Sequence, residues 1–148
     1  MRLIPRVIAT GFFVGYAPFA PGTVGSLLGL FLYWAVPYSD SVFALIGIGV
    51  LFIIGVWAAT EVEKESGQDA PIIVIDEIVG MLITFTLFEK SLKGLALGFI
   101  LFRFFDIIKL YPAKLTERLP CGWGVMMDDV VAGIYSALVL RLLFQFLN

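Results

Sequence analysis

Two adjacent carboxylates, Asp128 and Asp129, stand at the entrance to a largely apolar run, Val130 to Leu147, behind Pro120-Cys121-Gly122-Trp123-Gly124, which reads as a glycine-rich turn. One carboxylate in such a place is ordinary, because unpaired N–H groups and the macrodipole favour an anion at a helix N-terminus. A pair at the mouth of a membrane-like segment is not ordinary, since ionisable groups are expensive in lipid. Plain N-capping accounts for either residue alone. Accounting for both requires partners elsewhere in the chain.

The rest of the sequence strengthens the membrane reading. Of 148 residues, 60% are hydrophobic and 15% charged, against about 45–50% and about 25% in ordinary soluble domains. The mean hydropathy is +0.99. These values predict one integral membrane domain covering residues 1–148. A net charge of −2, with no long basic run, gives no support for nucleic-acid binding. The single cysteine, Cys121, rules out an intrachain disulfide and a multi-cysteine metal site.

Arg2 and Arg6 precede a mildly apolar stretch ending near Val14. A small-residue cleavage site is missing, so the stretch reads as a retained interfacial helix rather than a signal peptide. Gly15 to Ser26 follows, where two prolines and several glycines forbid a regular element until about Thr23. Small and hydroxyl residues at the following helix start, Thr23 and Ser26 among them, can bring backbone N–H groups to a phosphate. The loop is not a Walker motif, because the lysine is absent.

Apolar segments then run Val24–Val36, Val42–Thr60, Ile72–Phe88, Leu92–Leu110 and Val130 to the C-terminus. A span needs roughly 20 helical residues, so several of these are marginal. The expectation is an all-α domain with about four to five membrane-associated helices and an N-terminal interfacial helix. Gly25/Gly29, Gly55/Ala59 and Gly94/Gly98 are small residues four apart, suited to close helix packing.

Threading these segments alternately, from a cytoplasmic N-terminus and with a turn at Tyr38–Ser41, has one strong consequence. Glu61, Asp76, Glu77, Asp106, Lys109, Asp128 and Asp129 all end at the cytoplasmic level. Lysine and arginine placement favours this orientation, with Lys90 and Lys93 as exceptions. Clustered carboxylates repel one another unless a cation neutralises them. Magnesium is held by carboxylate oxygens and water, commonly beside substrate phosphates. Arg103, Asp106 and Lys109 recur every three residues, so a helix sets them along one side. The pattern points to a divalent metal with an anionic ligand, although local ion pairing explains that last trio equally well.

Four motifs also resemble the phosphatidylglycerophosphatase A family, in order and across residues 11 to 135. They are Tyr16 to Ser26, Ile75 to Gly80, Phe102 to Lys109, and Gly122 to Gly133. The resemblance implies an all-helical, magnesium-dependent phosphatase of the bacterial inner membrane that converts phosphatidylglycerophosphate to phosphatidylglycerol. It carries the family's acidic positions onto Asp76, Glu77, Asp106, Asp128 and Asp129, and further onto Glu61 and Asp69. Leu110 stands where the family has a proline, and Cys121 where glycine is common.

Elimination agrees with that chemistry. The chain has no histidine, so phosphohistidine mechanisms are impossible. Cys121 lacks the closely following arginine of a cysteine phosphatase. What remains is metal-assisted hydrolysis, with a carboxylate as base; an aspartyl-phosphate route stays open. The candidate catalytic residues are Asp76, Asp106, Lys109 and Asp129. Thr23, Ser26, Arg103 and Lys109 are the candidates for substrate binding, and Glu61, Asp76, Glu77, Asp128 and Asp129 for metal. The alternative is a small ion-binding transporter or channel, whose acids belong nearer the bilayer midplane.

Overall fold

The computed structural model describes residues 2–36, 42–86 and 88–147. Among these residues it holds seven α-helices, one short 3-10 turn at Val14–Tyr16, and no strand. The helices are α1 (Leu3–Ala9), α2 (Pro21–Ala35), α3 (Val42–Ser66), α4 (Ile75–Thr84), α5 (Leu92–Ile108), α6 (Ala113–Thr116) and α7 (Gly122–Leu147). The turn expected at Tyr38–Ser41 lies outside the described residues. The all-helical expectation holds.

Two helices, α3 and α7, are long and apolar enough to cross a membrane, with mean hydropathies of 2.6 and 1.5. Their outward faces fit that reading. Phe43, Ile46, Val50, Ile53 and Trp57 form an exposed stripe on α3, and Ile134, Leu138, Leu142 and Phe146 another on α7. Contiguous apolar faces of this kind are unusual on a soluble monomer and ordinary against lipid. At 15 and 17 residues, α2 and α5 reach about 22 and 26 Å, somewhat short of a hydrocarbon core of roughly 30 Å.

The segment Ile72–Phe88 departs most from expectation. Only ten of its residues form α4, a helix of about 15 Å that cannot span a bilayer. It is apolar because protein covers it: α2, α3, α5 and α7 all pack against it. Ile75, Asp76, Ile78, Val79, Gly80, Met81 and Thr84 are buried along it. Close approach to α7 depends on two glycines. A Cβ at Gly133 would lie 2.6 Å from the Gly80 carbonyl oxygen, and one at Gly80 2.4 Å from the Phe102 ring. Gly25 and Gly29 play a similar part between α2 and α4, facing Val74 and Met81.

The last helix also begins earlier than its composition suggests. It starts at Gly122 rather than at the carboxylate pair, which places Asp128 and Asp129 about two turns inside it. They are therefore not capping residues. Gly122 serves contact instead of turning, since a Cβ there would meet the Val56 carbonyl oxygen at 2.4 Å. The left-handed backbone before the helix falls on Cys121, with φ of 55°, a conformation in which glycine carries no steric cost.

Candidate active site

The acids converge because helix ends converge. Asp76 and Glu77 occupy the first turn of α4, and α7 brings Asp129 alongside them. One carboxylate oxygen from each of the three lies within 4.8 Å of the others. Asp76 and Asp129 are only 7% and 2% exposed. Asp76 Oδ1, Glu77 Oε2 and Asp129 Oδ2 are all buried without a hydrogen-bond partner in the protein. Buried acceptors are normally satisfied, and carboxylates so close together cannot all stay ionised without a cation. An all-oxygen donor set with orphaned lone pairs suits a hard divalent ion. This cluster could hold a metal ion.

Asp128 faces elsewhere. Successive helical residues point about 100° apart, from 3.6 residues per turn, and its Oδ2 accepts a hydrogen bond from Lys109 Nζ at 2.8 Å. Lys109 caps α5 with left-handed backbone, φ 49° and ψ 62°. It also donates to Glu117 Oε1. Burial works against its charge, but the hydrogen bonds it donates to Asp128 and Glu117 outweigh that and hold its pKa above the ordinary lysine value. Lys109 is therefore a permanent cation at physiological pH, set between two acids.

A second cation sits nearly two turns back along α5. Arg103 Nη1 donates to Asp106 Oδ2 at 2.5 Å and to Ser26 Oγ on α2 at 3.3 Å. Ser26 is fully buried, and its hydroxyl donates to the Gly22 carbonyl at 2.8 Å, so it fixes Arg103 to the start of α2. Gly22 comes so near Glu77 that a Cβ would lie 2.3 Å from Glu77 Oε1. These groups enclose a cavity of about 310 Å³, lined among others by Gly22, Asp69, Asp76, Glu77, Arg103, Asp106, Lys109, Asp128 and Asp129.

Most of the expected residues thus meet, but three do not. Glu61 pairs with Lys64 and lines a separate cavity with Arg2, Pro5, Val62 and Glu65. It does not line the acidic cavity. Thr23 and Ser26 do not line the acidic cavity; the Thr23 N–H bonds the Ala20 carbonyl, and Ser26 works through Arg103. Glu117 is the partner that sequence reasoning missed. Its only signal was an isolated acid between Lys114 and Arg118 in a basic loop. Asp69, implied by the family resemblance, does line the cavity, its backbone N–H held by Glu63 Oε1 at 2.9 Å.

Comparison with known proteins gives a consistent picture. A protein of Bacteroides thetaiotaomicron, provisionally named as a phosphatidylinositol-3-phosphatase, is 38% identical over 93% of this chain and 91% of its own. Phosphatidylglycerophosphatase A of Escherichia coli is 35% identical over 91% of this chain and 80% of its own. The Haemophilus influenzae protein of that name is 34% identical over 90% and 85%. No solved structure matches the chain significantly. None of these relatives lends support to the transporter alternative. The family profile described as Phosphatidylglycerophosphatase A matches residues 7–144, and the chain belongs to that family.

Proposed function

We propose that this phosphatidylglycerophosphate phosphatase works by metal-assisted hydrolysis, with Mg²⁺ held by Asp76, Glu77 and Asp129. The observation that carries the reading is the set of three buried carboxylate oxygens, one per residue, left without a partner in the protein. A divalent cation bound there supplies Lewis-acid polarisation of a phosphoryl oxygen and orientation of the attacking water. Lys109 and Arg103 offset the negative charge that gathers on the phosphate oxygens as the ester bond breaks. Asp106 lies outside the metal cluster yet lines the same cavity, which suits it to take the proton from the attacking water. Asp128 and Glu117 hold Lys109 in place, and Ser26 holds Arg103. Water attack is preferred over an aspartyl-phosphate because the three clustered acids are engaged as ligands.

The same reading places the single domain in the bacterial inner membrane, with helices α2, α3, α5 and α7 traversing or deeply inserted and α1 at the interface. The cavity then opens to the cytoplasm, where phosphatidylglycerophosphate presents its phosphomonoester. The Bacteroides relative adds a second substrate class, a phosphatidylinositol 3-phosphate, which also carries a terminal phosphomonoester on a diacyl lipid. Phosphate release by the purified protein from each lipid, with Mg²⁺ and with a chelator, tests both choices. Fast release from phosphatidylglycerophosphate only with Mg²⁺ is the expected result. Turnover in the chelator removes the metal, and preference for the inositol lipid changes the substrate.

A further inference from the structure

One wall of the acidic cavity belongs to the apolar outer face of α5. Ile107 lines it and is nevertheless 69% exposed, while Ile100, two turns earlier on α5, is 61% exposed. Both lie within about 60° of Arg103 around the helix axis, at 100° per residue. Arg103 therefore marks the seam where the polar cavity meets the apolar outer face of α5. Across the seam stands α2, joined to Arg103 through Ser26. On α2 the neighbouring outward side chain is Leu27, 48% exposed, one residue along from that contact.

We infer that the seam between α2 and α5 is the binding groove for an acyl chain of the lipid substrate, and the route by which that lipid enters from the bilayer. Leu27 forms one bank, Ile100 and Ile107 the other, and the Arg103–Ser26 hydrogen bond crosses the floor where the groove meets the cavity. This assignment rests on the proposed phosphatase reading. The occupant follows from continuity: a diacyl phosphomonoester whose phosphate sits between Lys109 and Arg103 must pass its glycerol out of the cavity. At Ile107 that cavity opens onto an apolar surface instead of water. The lipid stays in its leaflet throughout, its chains in apolar contact while only its head group changes surroundings.

The experiment compares diacyl phosphatidylglycerophosphate in mixed micelles with its deacylated, water-soluble head group. Ile100→Trp and Leu27→Trp fill the groove without touching the acids, and Phe43→Trp on the outer face of α3 is the control. Both groove variants should raise KM for the diacyl substrate at least 10-fold, with kcat/KM for the deacylated one within 2-fold of wild type; the control should change neither. Equal losses on the two substrates, or no change on the lipid, overturn the groove while leaving the phosphatase reading intact. A wild-type protein that releases phosphate from neither substrate overturns both. A substrate carrying a photoreactive group on its acyl chain gives a second readout on unmodified protein. Adducts on α2 and α5 support the groove, and adducts concentrated on Phe43–Trp57 of α3 overturn it.

Discussion

Asp128 and Asp129 are neighbours in the chain and serve different partners in space. Asp128 Oδ2 meets Lys109 Nζ at 2.8 Å, whereas Asp129 joins Asp76 and Glu77 in the cluster of unsatisfied oxygens. One side chain orders a cation of the protein, and the other is free to order a cation from solution. The pair should therefore separate experimentally. Asp129→Asn is expected to lower turnover at least 100-fold and weaken Mg²⁺ affinity at least 10-fold. Asp128→Asn should lower turnover with Mg²⁺ affinity within about 3-fold of wild type. Initial rates across a Mg²⁺ titration decide, and equal affinity losses in the two variants would contradict the division of labour.

Lys109→Met is expected to cost about 100-fold in turnover, comparable with removing one oxyanion-stabilising donor, and only about 1–3 kcal/mol of stability from the acids it leaves unpaired. The pH dependence has a definite sign. Because the folded-state pKa of Lys109 is raised, its contribution is fully present below the unfolded value, about 10.4, and is lost only as pH rises through the folded value. Melting curves in detergent should thus show a constant gap between wild type and variant from pH 7.5 to 9.5. A gap that closes within that window would show that Lys109 is not the permanent cation described above.

Removing metal should have a stability signature independent of turnover. Mg²⁺ at 100 times its Kd should stabilise the wild-type protein by about 2.7 kcal/mol relative to chelator. Asp76→Asn combined with Glu77→Gln should abolish that shift. The same double variant should melt at a higher temperature than wild type in chelator, because it relieves the repulsion among the carboxylates. A wild-type melting curve indifferent to Mg²⁺ would refute the metal cluster.

Gly133→Ala tests whether helix packing sets the site. Its Cβ would lie 2.6 Å from the Gly80 carbonyl oxygen and 3.1 Å from Ile83 Cβ, so backbone must move. The expected cost is about 1–3 kcal/mol, accompanied by a several-fold loss of Mg²⁺ affinity as Asp129 shifts relative to Asp76. Gly47→Ala on α3, with nothing within 4 Å, should instead be neutral or stabilising by up to about 1 kcal/mol. Loss of stability with unchanged metal affinity in Gly133→Ala would uncouple the crossing from the site.

Sidedness can be read with thiol reagents that do not cross membranes. Cys121 is exposed and lies at the cavity end of the molecule, so intact spheroplasts should protect it and permeabilised ones should label it. Lys93→Cys in a Cys121→Ser background marks the opposite end and should label in both. The reverse pattern would put the cavity on the outer face.

Which parts of this arrangement could be read from the sequence follows from what each signal encodes. Charge at the ends of apolar runs encodes depth in a membrane, so Asp76, Glu77, Asp106, Lys109, Asp128 and Asp129 were all expected at one level, and they line one cavity. Depth says nothing about direction around a helix. Glu61 is therefore expected at the same level, yet it lines a different cavity. Apolar composition cannot distinguish lipid from protein as the covering medium, which is why Ile72–Phe88 read as a span although α4 is a short helix wrapped by four others. Glycines permit both turns and contacts. Gly122 and Gly124 read as a turn, and the helix they open brings the two aspartates from a capping position into its interior.

The burial of α4 also bears on how the protein is made. A ten-residue helix beginning Ile75-Asp76-Glu77 is a poor candidate for insertion by itself, and α7, which covers much of it, follows only after α5 and α6. While synthesis proceeds, α4 must shelter against α2 and α3, with its two acids facing a gap that only Asp129 later closes. Assembly of the cluster therefore waits for α7: a nascent chain that has not yet released it holds two of the three clustered acids.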